Sequence, residues 1–292
     1  MLTIKALPEL IPMFKSIVNR WWLACFLVSA QIASAQPSGQ AAFAFGPENA
    51  PLWDLSSVYS LSTSLLGAGD SPIPLSYTVV INHGARGTLS GEGTTIVRID
   101  NQPVAAFYNV RGSVSGGGDL TRANFSVSLR GRDWIFGAIR SFQIKANYQL
   151  EVDPASLQLV GRIRGSGSIS GLGGGSIRDD EFTMPVPAGA DGTWAAVLNF
   201  IPFKSFAGTG SIVVSHAVSP DNPPGWPEER VMAASVKGSY SSGNNRTKAT
   251  LQTLYEDRGA SLTITFFGEN ELSTVRGKVL GQKVRVDAPL AE

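Results

Sequence analysis

The chain has few of the residues that build metal centres and disulfide networks. Its 292 residues include one cysteine and two histidines. A Cys/His zinc site needs four such ligands, more than the chain has. His83 and His216 are also too far apart to form the paired-histidine helix motif of zinc peptidases. We therefore expect neither a metal site nor another cofactor.

Charge is scarce as well. Charged residues make up 16% of the chain, against roughly 25% in an average soluble protein. The formal net charge is +1, and 43% of the residues are hydrophobic. Disordered chains have more charge and fewer apolar residues, and nucleic-acid-binding domains usually have a strong excess of basic residues. The composition therefore excludes disorder and predicts that nucleic acid is not a partner.

The longest stretch without charge lies near the N-terminus. Residues 21–30 read WWLACFLVSA and follow Lys15 and Arg20, while residues 33–35 read Ala-Ser-Ala. A basic region, a short apolar run and a small-x-small site together define a secretory signal peptide. The run is shorter than the roughly 20 residues of a membrane-spanning helix. We predict a signal peptide over residues 1–35.

Two details refine this prediction. Pro8 and Pro12 fit a signal peptide poorly, so the true start is expected at Met13. Cleavage before Cys25, as in a lipoprotein, is the alternative, although the residues preceding it match a lipoprotein site poorly. Cleavage after residue 35 removes the only cysteine, so the mature protein cannot use disulfides. The expected location is the periplasm, the cell surface or the medium.

Most of the remaining chain alternates between apolar and polar residues. From Phe142 to Val152 every second residue is apolar and the residues between them are polar. Successive side chains of a strand point to opposite faces, so this pattern predicts a half-buried strand. Turn-forming residues separate such stretches, for example at 116–119 and 243–245. We predict an all-β fold built as an antiparallel meander.

The chain also contains an internal duplication. Residues 76–97 align without gaps with residues 193–214, which places Tyr77 opposite Trp194. Residues 111–129 align in the same way with 237–255, and 163–165 with 275–277. Repeats of this kind predict two copies of one supersecondary unit, here about six strands each and about 12–13 strands in all. The predicted segments are an N-terminal segment with one strand (36–75), repeat unit 1 (76–165), a Gly-rich connector (166–192), repeat unit 2 (193–286) and a tail (287–292).

Two architectures fit the duplication. The first is a single closed or nearly closed barrel, because closure removes exposed strand edges. The alternative is two small barrels or sandwiches in tandem. The connector has neither a run of prolines nor a run of charges that would separate two bodies, so we expect the single barrel.

The sequence offers little catalytic chemistry. The segments 112–116 and 167–171 resemble the G-x-S-x-G motif of hydrolases but have Val114 and Ile169 at the position of the nucleophile. Acidic residues cluster in predicted loops and turns at 179–181, 228–229 and 256–257. Such clusters are typical of solvated loops, although a pair of carboxylates could serve a glycosidase. We therefore expect the protein not to be an enzyme.

Two tryptophans are candidate ligand-binding residues. Trp134 and Trp226 lie in segments where the two copies differ in length. Loops on a rigid scaffold often have functional roles, and exposed tryptophan is frequent at binding surfaces.

We therefore expect an exported, non-enzymatic β-protein with a binding or structural role at the cell envelope or outside the cell. Its partner would be a polymer, a protein or a small apolar ligand. One alternative is an outer-membrane β-barrel, whose strands alternate in the same way. Membrane insertion is not favoured, because the tryptophans do not form paired girdles. A second alternative is a secreted glycan or ester hydrolase.

Overall fold

The computed structural model describes residues 39–46, 49–67, 71–187, 192–200, 204–215, 229–254, 259–268 and 271–287. These residues form sixteen β-strands and two single-turn 3-10 helices, Gly118–Leu120 and Ser242–Asn244. All pairs of neighbouring strands are antiparallel. The predicted all-β antiparallel class is confirmed. The predicted signal peptide, residues 1–35, lies outside the described residues.

Strands β2 to β9 form a closed barrel in which each strand pairs with the next along the chain. Only two residue pairs between β2 and β9 close the ring, Leu65 with Ile177 and Leu66 with Ser176. The strands are β2 (Ser57–Leu66), β3 (Ile73–His83), β4 (Thr88–Ile99), β5 (Gln102–Ser115), β6 (Arg122–Ile135), β7 (Ala138–Asp153), β8 (Gln158–Ile169) and β9 (Gly173–Pro185).

The other eight strands form an open sheet in the order β1-β10-β11-β12-β13-β14-β15-β16. Its first strand precedes the barrel in the sequence, and its other strands follow it. The barrel is therefore inserted between the first two strands of the open sheet. The strands are β1 (Gly39–Phe45), β10 (Trp194–Phe200), β11 (Ser205–Ser215), β12 (Glu229–Ser241), β13 (Arg246–Thr253), β14 (Ser261–Phe267), β15 (Leu272–Val279) and β16 (Gln282–Asp287).

The predicted single closed barrel is wrong. The described residues form two sheets, with sixteen strands in place of the predicted 12–13. The physical reason is the size of a barrel interior: eight strands enclose a space that side chains can fill, whereas a ring of about sixteen would enclose a channel. Each copy therefore forms its own sheet around its own core.

The two sheets are similar, and they correspond to the two copies of the duplication. In the alignment of the two copies, β3 and β4 correspond to β10 and β11, and β5 and β6 correspond to β12 and β13. The register extends this match to the first strand of each sheet. Leu61 of β2 pairs with Tyr77, and Phe45 of β1 pairs with Trp194, the residue that aligns with Tyr77. Each copy thus has eight strands in the same order.

A shortened first strand explains why one sheet closes and the other does not. Phe45 is the equivalent of Leu61, so the equivalents of the closing residues Leu65–Leu66 are Asn49–Ala50. Strand β1 ends at Phe45, and the chain then turns, since the backbone N–H groups of Asn49 and Ala50 donate to the carbonyl oxygen of Gly46 at 3.3 and 3.0 Å. The chain thus leaves the sheet before reaching the positions that close the barrel.

The barrel core is formed by inward-facing apolar side chains. The predicted alternation of β7 is confirmed, because the apolar residues from Phe142 to Val152 are all buried and the polar residues between them are exposed. Near the middle, the rings of Phe125 and Tyr148 stack with centroids 4.6 Å apart. The hydroxyl groups of Tyr77 and Tyr148 share a buried hydrogen bond of 2.6 Å. Burying each large side chain stabilises the fold by about 1.5–3 kcal/mol.

The open sheet curls around a second core. Phe43 of the first strand lies 5.3 Å from Phe266 of β14, which is five strands away in the order of the sheet. Phe45 stacks on Trp194 at 4.2 Å. The indole N–H of Trp194 donates to the carbonyl oxygen of Ala50 at 2.7 Å and so holds the segment that leads into the barrel.

Candidate functional site

The side chains with the most catalytic potential collect where the barrel meets the open sheet. Asp54 and Ser56 precede β2, His83 ends β3, and all three are buried. The Ser56 hydroxyl donates to Asp54 Oδ1 at 2.7 Å, and the Ser56 N–H donates to the same oxygen at 3.0 Å. The N–H of His83 in turn donates to the Ser56 hydroxyl oxygen at 3.0 Å. We call this group, with Arg230, the junction cluster.

The ring of His83 is occupied by backbone groups on both sides. The N–H of Leu55 donates to Nδ1 at 3.2 Å, and Nε2–H donates to the carbonyl oxygen of Leu280 at 2.9 Å. Activation of a serine requires a hydrogen bond from its hydroxyl to the histidine ring. Here the Ser56 hydroxyl donates to Asp54 instead. This geometry is suited to joining three chain segments in the interior.

Asp54 supplies a buried negative charge to the junction cluster. Burial alone would raise the pKa of its carboxyl group, but the Arg230 guanidinium and the Ser56 N–H hold that pKa well below its ordinary value. Arg230 Nη1 lies 3.6 Å from Asp54 Oδ2 and also donates to the carbonyl oxygen of His83. Because Arg230 belongs to β12, this charge pair links the open sheet to the barrel.

Gln282 provides a second link between the two sheets. Its side-chain oxygen accepts the N–H of Trp53 at 3.0 Å and the hydroxyl of Thr121 at 3.2 Å, and its amide donates to the Trp53 carbonyl oxygen at 2.7 Å. The N–H of Lys283 donates to the carbonyl oxygen of Gly116 at 2.6 Å. The last strand of the open sheet is therefore hydrogen-bonded to the barrel.

The candidate Trp134 lies at the other end of the barrel from this junction. It is on β6, two residues before the β6–β7 turn, and not in a loop as its place in an insert suggested. Its cross-strand partner is Ile139, and both side chains are 62% exposed. Asp133 fixes the strand end, since its carboxylate accepts the N–H groups of Ala105 and Trp134 at 2.9 and 2.7 Å, which lower its pKa. Trp226 lies outside the described residues.

A groove of about 740 Å³ runs over the outer face of the barrel beside Trp134. Ser141, which lines the groove, is two residues beyond Ile139 and points to the same outer side. Several of the residues that line the groove are glycines or serines, whose small side chains leave space at the surface. Its lining consists of Phe107, Arg130, Gly131, Ser141, Phe142, Gln143, Ser168, Ile169, Ser170, Gly171 and Gly173.

One row of side chains crosses four strands along this groove. Phe107, Arg130, Gln143 and Ser168 are successive cross-strand partners on β5, β6, β7 and β8. The Arg130 guanidinium lies over the Phe107 ring, 5.3 Å from its centroid. A second hollow of about 420 Å³ shares Phe107, Arg130 and Gln143. We call the two hollows together the outer groove.

The donors along this row are not used within the described part of the chain. Apart from the contact of Arg130 with Phe107, the side chains of Arg130, Gln143 and Ser168 have no hydrogen bond or ion pair with any described residue. They are therefore available to a ligand. The sequence pointed to Trp134 but not to these residues, because only the strand register brings them into line.

The described acidic residues at 179–181 are bonded to neighbouring groups. Asp180 accepts hydrogen bonds from Arg164 and Arg178, and Asp179 accepts the N–H of Glu181 at 3.0 Å. Glu229 begins β12, whereas residues 228 and 256–257 lie outside the described ranges. Within those ranges, no group of three His, Cys, Asp or Glu side chains could hold a metal ion. The same ranges contain no helix that is long and apolar enough to span a membrane.

Comparison with known proteins adds no relative to these observations. The chain matches no protein-family model, no curated protein and no solved structure.

Proposed function

We propose that the chain is an exported, non-enzymatic binding protein that holds an extended partner on the outer face of its barrel. The observation that carries this proposal is the exposed Trp134–Ile139 pair beside the outer groove. An exposed apolar pair close to a groove with unused donors has the character of a binding surface. Tryptophan and arginine are also the residues that most often dominate binding energy.

The hydrogen bonds already made by the polar groups of the junction cluster support binding over catalysis. Asp54, Ser56 and His83 of the junction cluster are buried, and their groups are hydrogen-bonded to one another or to the backbone. A glycosidase needs two carboxylates about 5–9.5 Å apart at its cleft. Among the described lining residues of the outer groove, Glu92 is the one carboxylate.

Two further features support an exported protein that works in water. The predicted signal peptide supplies the route out of the cytoplasm, and the mature chain needs no disulfide because each sheet has its own apolar core. A membrane barrel presents an apolar band to the lipid. The outward positions of β7 from Gln143 to Glu151 are instead polar and exposed.

A polysaccharide and glycoprotein array tests the proposal. The fluorescently labelled protein should bind at least one class of polymer, and Trp134→Ala and Ile139→Ser should weaken that binding about tenfold or more. Val231→Ser is the matched control, because Val231 is 61% exposed on a strand of the open sheet. All three variants should keep the wild-type melting temperature, since exposed side chains contribute little to stability. Absence of binding to every polymer, or equal binding by all variants, would contradict the proposal.

A further inference from the structure

We infer that the outer groove binds an anionic polysaccharide, a sugar chain with carboxylate groups. This inference rests on the proposed function and names the ligand class of the same surface. Four cationic residues project outward at or beside the groove: Arg111, Arg130, Arg132 and Lys145. None of the four has an ion pair with a described residue.

The nearby acids offset this charge only in part. Glu92 lines the second hollow, and Asp133 accepts two backbone N–H groups near the end of β6, so four positive charges face two negative ones. Elsewhere on the barrel, Arg122 pairs with Glu151 at 2.7 Å, and Arg164 and Arg178 pair with Asp180. The groove has a local excess of positive charge without such pairs, which favours an anionic ligand.

Arg130 is placed to recognise a carboxylate. Its guanidinium lies over the Phe107 ring, which limits its freedom and leaves its N–H groups without a partner among the described residues. A planar guanidinium binds a carboxylate through two parallel hydrogen bonds. Because the contact with Phe107 holds the group before the ligand arrives, less conformational entropy is lost on binding.

The row beyond Arg130 suits the hydroxyl groups of a sugar chain. Gln143 and Ser168 continue the row across β7 and β8, and the four strands span about 14 Å at the usual strand spacing. The apolar face of a sugar ring can then pack on the exposed Trp134–Ile139 pair. An extended oligosaccharide of a few units would contact all of these groups.

A single-stranded nucleic acid fits the groove less well. Proteins that bind such strands stack successive bases on several aromatic side chains. Among the described residues, the exposed aromatic rings at or beside the outer groove are Phe107 and Trp134, and Arg130 lies over one face of Phe107, so they do not form a series of open stacking surfaces. The geometry therefore favours a carboxylated sugar chain over a nucleic acid.

Isothermal titration of the full mature protein with defined polymers tests the inference. The probes are polygalacturonate, its fully methyl-esterified form, neutral dextran and oligothymidylate. We expect binding to polygalacturonate and none to the ester. Arg130→Gln should weaken this binding about tenfold or more, and Phe107→Ala should weaken it as well. Arg276→Gln, which removes an exposed charge from the open sheet, should have no effect.

The other outcomes distinguish failure of this inference from failure of the proposed function. Equal weakening by Arg130→Gln and Arg276→Gln, or equal affinity for oligothymidylate, would show binding through general charge or to nucleic acid and overturn the inference. Binding of the ester or of dextran that Trp134→Ala abolishes would overturn the anionic ligand and leave the proposed function standing. Absence of binding to these probes and to the whole array would contradict both.

Discussion

The sharpest prediction concerns Gly281, in the turn where the open sheet touches the barrel. Leu280 and Gly281 form the two-residue turn between β15 and β16, with φ of 51° and 76°. A Cβ atom at Gly281 would lie 2.6 Å from the Cα of Gly87 in the β3–β4 turn and would also contact the carbonyl oxygen of Val114. An alanine there must push the barrel and the open sheet apart.

The chain contains a matched control for the backbone effect. Phe136 and Gly137 form the two-residue β6–β7 turn with φ of 46° and 78°, and nothing lies within 4 Å of a Cβ at Gly137. Alanine in this left-handed conformation costs about 1–2 kcal/mol at either site. Overpacking adds about 1–3 kcal/mol at Gly281 alone. We therefore expect a loss of about 2–5 kcal/mol for Gly281→Ala and about 1–2 kcal/mol for Gly137→Ala.

Urea unfolding measures this difference. The free energy of unfolding follows from the midpoint and slope of the transition, monitored by tryptophan fluorescence and by circular dichroism. The wild type should unfold in one transition, because the two sheets share the junction cluster and the Gln282 bonds. Equal losses for the two alanine variants would refute the close packing of the turns at this junction.

Four other predictions concern pH, the barrel core and export. The folded-state pKa of Asp54 lies below the ordinary value of 3.8, so its ionised form stabilises the fold above about pH 4. That contribution is lost as the pH falls further. The urea midpoints at pH 7 and pH 3 should therefore differ less for Asp54→Asn than for the wild type. Tyr148→Phe should lower the free energy of unfolding by about 1–3 kcal/mol, because it leaves the buried Tyr77 hydroxyl without its partner. In a double-mutant cycle, Tyr77→Phe combined with Tyr148→Phe should lower it by less than the sum of the single changes. Burial raises the pKa of Tyr77 to about 12, so stability should also fall above about pH 10 as the unfolded tyrosine ionises first. N-terminal sequencing of the protein from fractionated cells should begin at Gln36; retention of the first 35 residues in a cytoplasmic fraction would contradict export.

Local patterns in the sequence determined the all-β class and the buried face of β7. The alternation from Phe142 to Val152 correctly predicted which side chains of β7 are buried, because side-chain direction in a strand depends only on position along that strand. The alignment of Tyr77 with Trp194 predicted two copies of one strand unit, although not that each copy forms its own sheet. Trp134 was proposed from sequence as a candidate, since it lies where the two copies differ.

The pairing between distant strands was decided by the tertiary structure alone. No local pattern shows that β1 joins β10 across the inserted barrel, or that its end at Phe45 leaves the second sheet open. The same holds for the outer groove, whose Phe107, Arg130 and Gln143 come from three strands and meet only through their register. It holds too for His83, whose ring donates to the carbonyl oxygen of Leu280 in a turn of the other sheet. Hydrogen bonds between strands carry no signature in either strand's own sequence, because every backbone offers the same donors and acceptors.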